Sequence, residues 1–231
     1  MDIKNLLLLL ADLWMIFAGF TYGSKFIRNF RNYLLGLEWI IVATSGTNFF
    51  FFALLGAHRT SPMYHIALFF DAFSRAAGIT LILILGLMKV THRYKPSLPT
   101  DIAVFALATV AGLYLSIFAD RIGVAGATFY VVVNVITSVF LLYFVRRLWN
   151  IDERGQAIGV VLATAAAFVI AATYDFYHIP GDDENHTFFY IGALATWGFQ
   201  MMMYYYAYRA LHRHNERTES DQPVVSRGLS R

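Results

Sequence analysis

The sequence predicts an all-α integral membrane protein, a bundle of seven transmembrane helices. Three observations carry that prediction. Of the 231 residues, 58% are hydrophobic and only 14% charged, which is more apolar surface than a water-soluble chain of this length can hide. The apolar residues fall into runs close to the ~20 residues that cross a ~30 Å hydrocarbon layer. All five prolines, Pro62, Pro96, Pro99, Pro180 and Pro223, stand outside those runs and work as punctuation.

The first run, 5–22, follows only one basic residue, Lys4, and has no small-x-small pattern before Lys25. It therefore reads as a mature span and not as a cleaved secretory signal. The second, 34–55, follows the basic break of Lys25, Arg28 and Arg31 and contains an aromatic stretch, 49–52, suited to packing. The third, 66–90, begins after Pro62 and ends at Lys89, Arg93 and Lys95, and the fourth, 102–118, begins after Pro99. The fifth, 124–145, stops at Arg146 and Arg147; the sixth, 157–177, follows Arg154; the seventh, 188–208, follows Pro180 and ends at Arg209. The ten-residue alternation of barrel strands is absent.

Basic residues gather in the breaks after runs one, three and five and in the C-terminal tail, while the opposite side has Lys4, Arg59 and Arg121. The positive-inside rule then places the N-terminus outside and the C-terminus in the cytoplasm of a cell membrane. The net charge of +3 is accounted for by this asymmetry, so no nucleic-acid partner is implied and the lipid bilayer is the expected surrounding. The expected organisation is a membrane domain, 1–212, and a polar disordered cytoplasmic tail, 213–231. Tyr204, Tyr205, Tyr206 and Tyr208 are expected at the inner headgroup level as interfacial anchors.

Laying the chain against itself so that His58 falls on His178 also aligns Gly78 with Gly198 and Ala43-Thr44 with Ala163-Thr164. A three-plus-one-plus-three parallel repeat, with the fourth helix as linker, is one plan that fits. Whether the chain assembles as a homo-oligomer is left open.

The seventh run contains no lysine, and Lys4, Lys25, Lys89 and Lys95 all lie at membrane edges. A covalent retinal Schiff base is therefore not expected, and no other cofactor is expected. With no cysteine there is no disulfide, thiolate metal site or cysteine nucleophile. The loop residues Asp182, Asp183 and Glu184 lack any metal-ligand spacing and read as a solvated acidic loop, so no metal is assigned.

Charged residues inside a membrane are costly, and they normally face the bundle interior with a partner. At 1.5 Å per residue Asp71 lies ~9 Å deep and Arg75 ~15 Å, with Asp12 ~10 Å and Asn48 at a similar depth. Asp175 and His178 mark the outer end of the sixth helix, Asn134 lies near the midplane, and Glu38 falls one turn above the inner surface, in reach of water. These eight residues are the candidates for a ligand-binding or proton-coupling site open to the outside. Asp71 and Arg75, four apart, share a helix face and can neutralise each other as structural glue. Alternatively Arg75 holds an anion while Asp71 takes up a proton or cation.

The expected function is binding and transport of a small solute of unknown identity, with proton coupling through the carboxylates. A membrane-embedded enzyme using carboxylates and histidines, or a receptor subunit, is the alternative.

Overall fold

A computed structural model describes residues 3–56, 58 and 60–220. The described residues form seven long helices and no strand: α1 (Ile3–Phe30), α2 (Tyr33–Leu54), α3 (Pro62–Thr91), α4 (Leu98–Ile117), α5 (Ala119–Asn150), α6 (Arg154–Thr173) and α7 (Thr187–Ser220). The first six are long and apolar enough to cross a membrane. The seventh is more polar, through its tyrosines and Gln200, yet it packs along α1 and α6 as a member of the same bundle.

Each helix lies on its expected apolar run, although α6 ends at Thr173, four residues short of the run expected to reach 177. Ser61 and Ser97 accept hydrogen bonds from the amides of Tyr64 and Thr100, which caps α3 and α4, each with a proline in its first turn where no amide donor is needed. Within α5, Gly123 adopts φ +47°, so the straight part of that helix starts at Val124.

The helices close a ring of six: α1 packs on α2, α2 on α3, α3 on α5, α5 on α6, α6 on α7 and α7 back on α1. Helix α4 lies outside this ring, mainly against α3. Large apolar side chains cover the outer faces, among them Leu10 and Phe17 on α1, Leu107 and Val110 on α4, and Ile136 and Val139 on α5. Such a continuous apolar exterior belongs in lipid, and the protein is a multi-pass membrane helical bundle.

Small residues bring α1 and α2 together. A Cβ added at Gly19 would stand 2.8 Å from Ala43 Cβ, and one at Gly23 would stand 2.8 Å from the Gly36 carbonyl oxygen. Close backbone approach of this kind replaces the hydrophobic drive that lipid does not supply.

One end of the bundle is tied by basic and amide side chains. Lys89 donates to the carbonyls of Phe30 and Arg31, Arg147 to that of Thr91, and Asn215 to that of Val90, satisfying the C-terminal carbonyls of α1 and α3.

Two expectations change here. Helix α7 continues to Ser220, so the segment 213–220, expected as disordered tail, is helical; residues 221–231 lie outside the described residues, as does Arg59. Tyr204, Tyr205 and Tyr208 are not interfacial anchors but core residues, packed with Phe26 and Trp39. The reason is the length of α1 and α7, which lie side by side beyond the apolar runs and enclose these rings.

The third helix also departs from regularity. From Ser74 to Ile82 it is a π-helix, and the Leu83 amide reaches the Gly78 carbonyl five residues back. Widened turns of this kind recur at functional sites.

Candidate functional site

The π segment begins one residue before Arg75, and the side chain of Arg75 organises the polar centre of the bundle. Its Nη1 donates to Asp71 Oδ2 at 3.3 Å, the bond that the four-residue spacing predicts. The guanidinium also grips Asp175 through both Nη atoms, Nη1 to Oδ1 at 3.3 Å and Nη2 to Oδ2. Asp175, expected at the outer end of the sixth helix, stands in the turn two residues beyond it, and this forked pairing is the stronger arrangement for an arginine and a carboxylate. Asp71 has a further partner, the Tyr174 hydroxyl, which donates to Oδ1 at 2.9 Å.

Two aromatic rings lie against the guanidinium. The Tyr130 and Tyr174 ring centroids each sit 4.0 Å from the Arg75 Cζ, so the cation packs on two π faces. Arg75 itself is 10% exposed, while Asp71 is 32% and Asp175 27% exposed.

Those carboxylates line a cavity of about 1060 Å³ that runs through the ring interior. It extends from His58 and His186 at the loop end, past Asp71 and Arg75, to Gln200 and Tyr204. Its wall is rich in aromatics: Phe49 packs on Tyr190 at 5.6 Å, and Tyr64 and Trp197 also face the space.

Of the eight residues predicted from sequence, Asp71, Arg75 and Asp175 come together. Asn134, one turn along α5 from Tyr130, lines a small recess on the other side of Arg75. Asn48 is used elsewhere, its amide donating to the Met63 carbonyl at 2.9 Å and so fastening α2 to the start of α3. His178 is exposed on the loop, edge-on to His186 at 4.6 Å, and does not line the cavity.

Asp12 and Glu38 are both enclosed. Asp12, 1% exposed, faces Gly46 across the α1–α2 contact, and neither of its oxygens has a hydrogen-bond partner among the described residues. Glu38, 0% exposed, does not reach water as its position near the end of α2 suggested. It turns inward against the π segment, where Gly78 leaves room for the carboxyl group and the Ser74 hydroxyl donates to Oε1 at 3.5 Å.

The acidic loop serves α7. Asp183 Oδ1 accepts from the hydroxyl and amide of Thr187, and Asp182 accepts from the amides of Phe188 and Phe189, so two carboxylates cap the first turn. The Thr187 hydroxyl and amide hold the Asp183 carboxyl below its ordinary value. For Asp182 the slight burial pulls upward, but the amides of Phe188, Phe189 and Asp183 outweigh it and the carboxyl is lowered too. Among the described residues no group of three or more His, Asp or Glu side chains is placed to hold a metal ion.

The site residues that sequence reasoning missed are Tyr130 and Tyr174. Tyr174 adjoins Asp175 and Tyr130 precedes Asn134 by one turn, but in a chain that is 17% aromatic such proximity carries little signal. No known protein family, curated protein or solved structure matches this chain.

Proposed function

We propose that this membrane bundle binds a small solute in its central cavity and transports it, with the cavity opening to the outside and the C-terminus in the cytoplasm. One observation carries the reading: a buried arginine held by one carboxylate from α3 and another from the turn after α6, on the wall of a cavity large enough for an organic molecule. A purely structural ion pair has no need of the cavity beside it. Orientation is supported by the basic residues Lys89, Arg93, Arg147 and Arg154 at the end away from that cavity's mouth. The peripheral place of α4 supports the three-plus-one-plus-three plan, in which a solute site lies between the halves. A coupled proton would be carried by Asp71, with Glu38, which accepts from Ser74, as a second carboxyl on the same stretch of the bundle.

The natural absence of cysteine makes the test direct. Single variants Glu184→Cys at the loop, Ala127→Cys in the cavity wall and Gly155→Cys at the start of α6 are treated with a membrane-impermeant maleimide on intact cells. The first two should react from outside, and Gly155→Cys only after permeabilisation. A transported solute should slow the reaction at Ala127→Cys. Labelling of Glu184→Cys only from inside would overturn the orientation, and a cavity cysteine inert from both sides would overturn the reading of a solute pathway.

A further inference from the structure

We propose that the solute is an organic cation, an ammonium-bearing molecule with an apolar body, and that Asp71 is its charge partner. This inference rests on the solute-binding reading above and names the chemical class of the ligand.

The charge count comes first. One guanidinium faces two carboxylates, so with all three ionised the cluster carries one negative charge in excess. The disposition of Arg75 also makes it a poor anion receptor. Three of its five N–H donors go to Asp71 and Asp175, and the Tyr130 and Tyr174 rings pack against it. An incoming anion would have to enter a cluster that is negative overall.

Asp71 is differently placed. Each of its oxygens accepts one hydrogen bond, Oδ1 from Tyr174 and Oδ2 from Arg75, so each keeps a lone pair. Its side chain is 32% exposed and lies on the cavity wall. Asp71 thus offers a free acceptor to an arriving cation, and Arg75 and Tyr174 hold it in one orientation.

The rest of the wall selects the body of the ligand. Tyr64, Tyr190, Trp197 and Phe49 present aromatic surface, which attracts cations at its faces and binds hydrocarbon. A divalent metal ion would want a cluster of carboxylate ligands, and among the described residues no group of three or more His, Asp or Glu side chains is placed to supply one. A cavity of about 1060 Å³ matches a molecule of several carbon atoms, with room for water.

The test uses three probes that share a phenethyl body and differ in the charge of the head: phenethylammonium, 3-phenylpropanamide and 3-phenylpropionate. Each is titrated calorimetrically into the purified full-length protein in a non-ionic detergent, with empty micelles as the blank. The cation should bind saturably, with the neutral amide and the anion weaker by roughly tenfold or more. Asp71→Asn should weaken the cation by about the same factor and erase its advantage over the amide. Ala127→Trp, which fills the cavity beside Tyr130 without altering charge, should weaken all probes that bind. Equal binding of cation and amide, or preference for the anion, would overturn the cation class while leaving solute binding in place. Undiminished cation binding in Asp71→Asn would overturn the role of Asp71. Failure of all three probes to bind the unmodified protein would overturn both this inference and the solute-binding reading. If Asp71→Asn does not fold, the comparison of the three probes on the unmodified protein still decides the class.

Discussion

Removing the charge of Arg75 by Arg75→Gln should destabilise the bundle chiefly through Asp175. The guanidinium makes two hydrogen bonds to Asp175 and one, at 3.3 Å, to Asp71. Charge-assisted bonds contribute ~1.5 to 3 kcal/mol each. Because Asp71 and Asp175 are 32% and 27% exposed, the lower end of that range applies. Breaking a buried pair from one side costs about 3 to 5 kcal/mol, since the partner stays charged and unpaired, and partial access to water again favours the lower figure. Arg75→Gln is therefore expected to lose about 3 kcal/mol, or roughly 6 to 12 °C in midpoint for a chain of this size.

Two double-mutant cycles apportion that loss. The cycle of Arg75→Gln with Asp175→Asn should give a coupling of about 2 to 3 kcal/mol, whereas that with Asp71→Asn should give about 1 kcal/mol. Asp71 keeps its bond from Tyr174 when Arg75 is replaced, which is why its share is smaller. The assay is thermal unfolding of each cycle in one detergent, read by far-ultraviolet circular dichroism. A coupling to Asp71 equal to or above that to Asp175 would refute the dominance of the forked pairing with Asp175, and the pair within α3 would then be the stronger interaction. Additive behaviour in both cycles, within about 0.5 kcal/mol, would remove the cluster as a stabilising unit.

Gly78→Ala should cost about 1 to 3 kcal/mol by overpacking. Its Cβ would stand 2.5 Å from Glu38 Cδ and 2.7 Å from Oε2, so the enclosed Glu38 carboxyl must shift to admit it. Adding Glu38→Ala to Gly78→Ala should recover stability in the same thermal assay; a double variant less stable than Gly78→Ala alone would refute the contact. The start of α7 should be stable at neutral pH and loosen in acid. Asp182 and Asp183 have carboxyls lowered in the folded state, so their contribution is fully present above the ordinary value of 3.8 and is lost as pH falls through the lowered folded values. Hydrogen-exchange protection at Thr187, Phe188 and Phe189, corrected for intrinsic rates, should be level from about pH 8 to 5 and fall below about pH 4. Protection that stays level through that acid range, or that falls equally in Asp182→Asn/Asp183→Asn, would rule out capping by these carboxylates.

Much of the architecture was legible because lipid imposes a one-dimensional constraint. Each span must be a run of apolar residues of a set length, and each break must be polar, so the position of every helix could be read along the chain. The pairing of Asp71 with Arg75 was legible for a similar reason, since a four-residue spacing fixes proximity within one helix whatever the rest of the bundle does. Other features depend on which helix stands beside which, and a single sequence does not encode that as a local pattern. Asp175 reaches Arg75 only because α6 ends beside α3, and Tyr130 covers the same guanidinium only because α5 joins α3 in the ring. Glu38 looked interfacial by distance along α2, yet the side of the helix it occupies turns it onto the π segment, where a glycine leaves the space that its carboxyl fills. Tyr204, Tyr205 and Tyr208 looked like headgroup anchors by depth and are core residues by neighbourhood. Depth and spacing along a helix are properties of the chain, whereas the partner across the bundle is set by the simultaneous packing of six helices around one cavity.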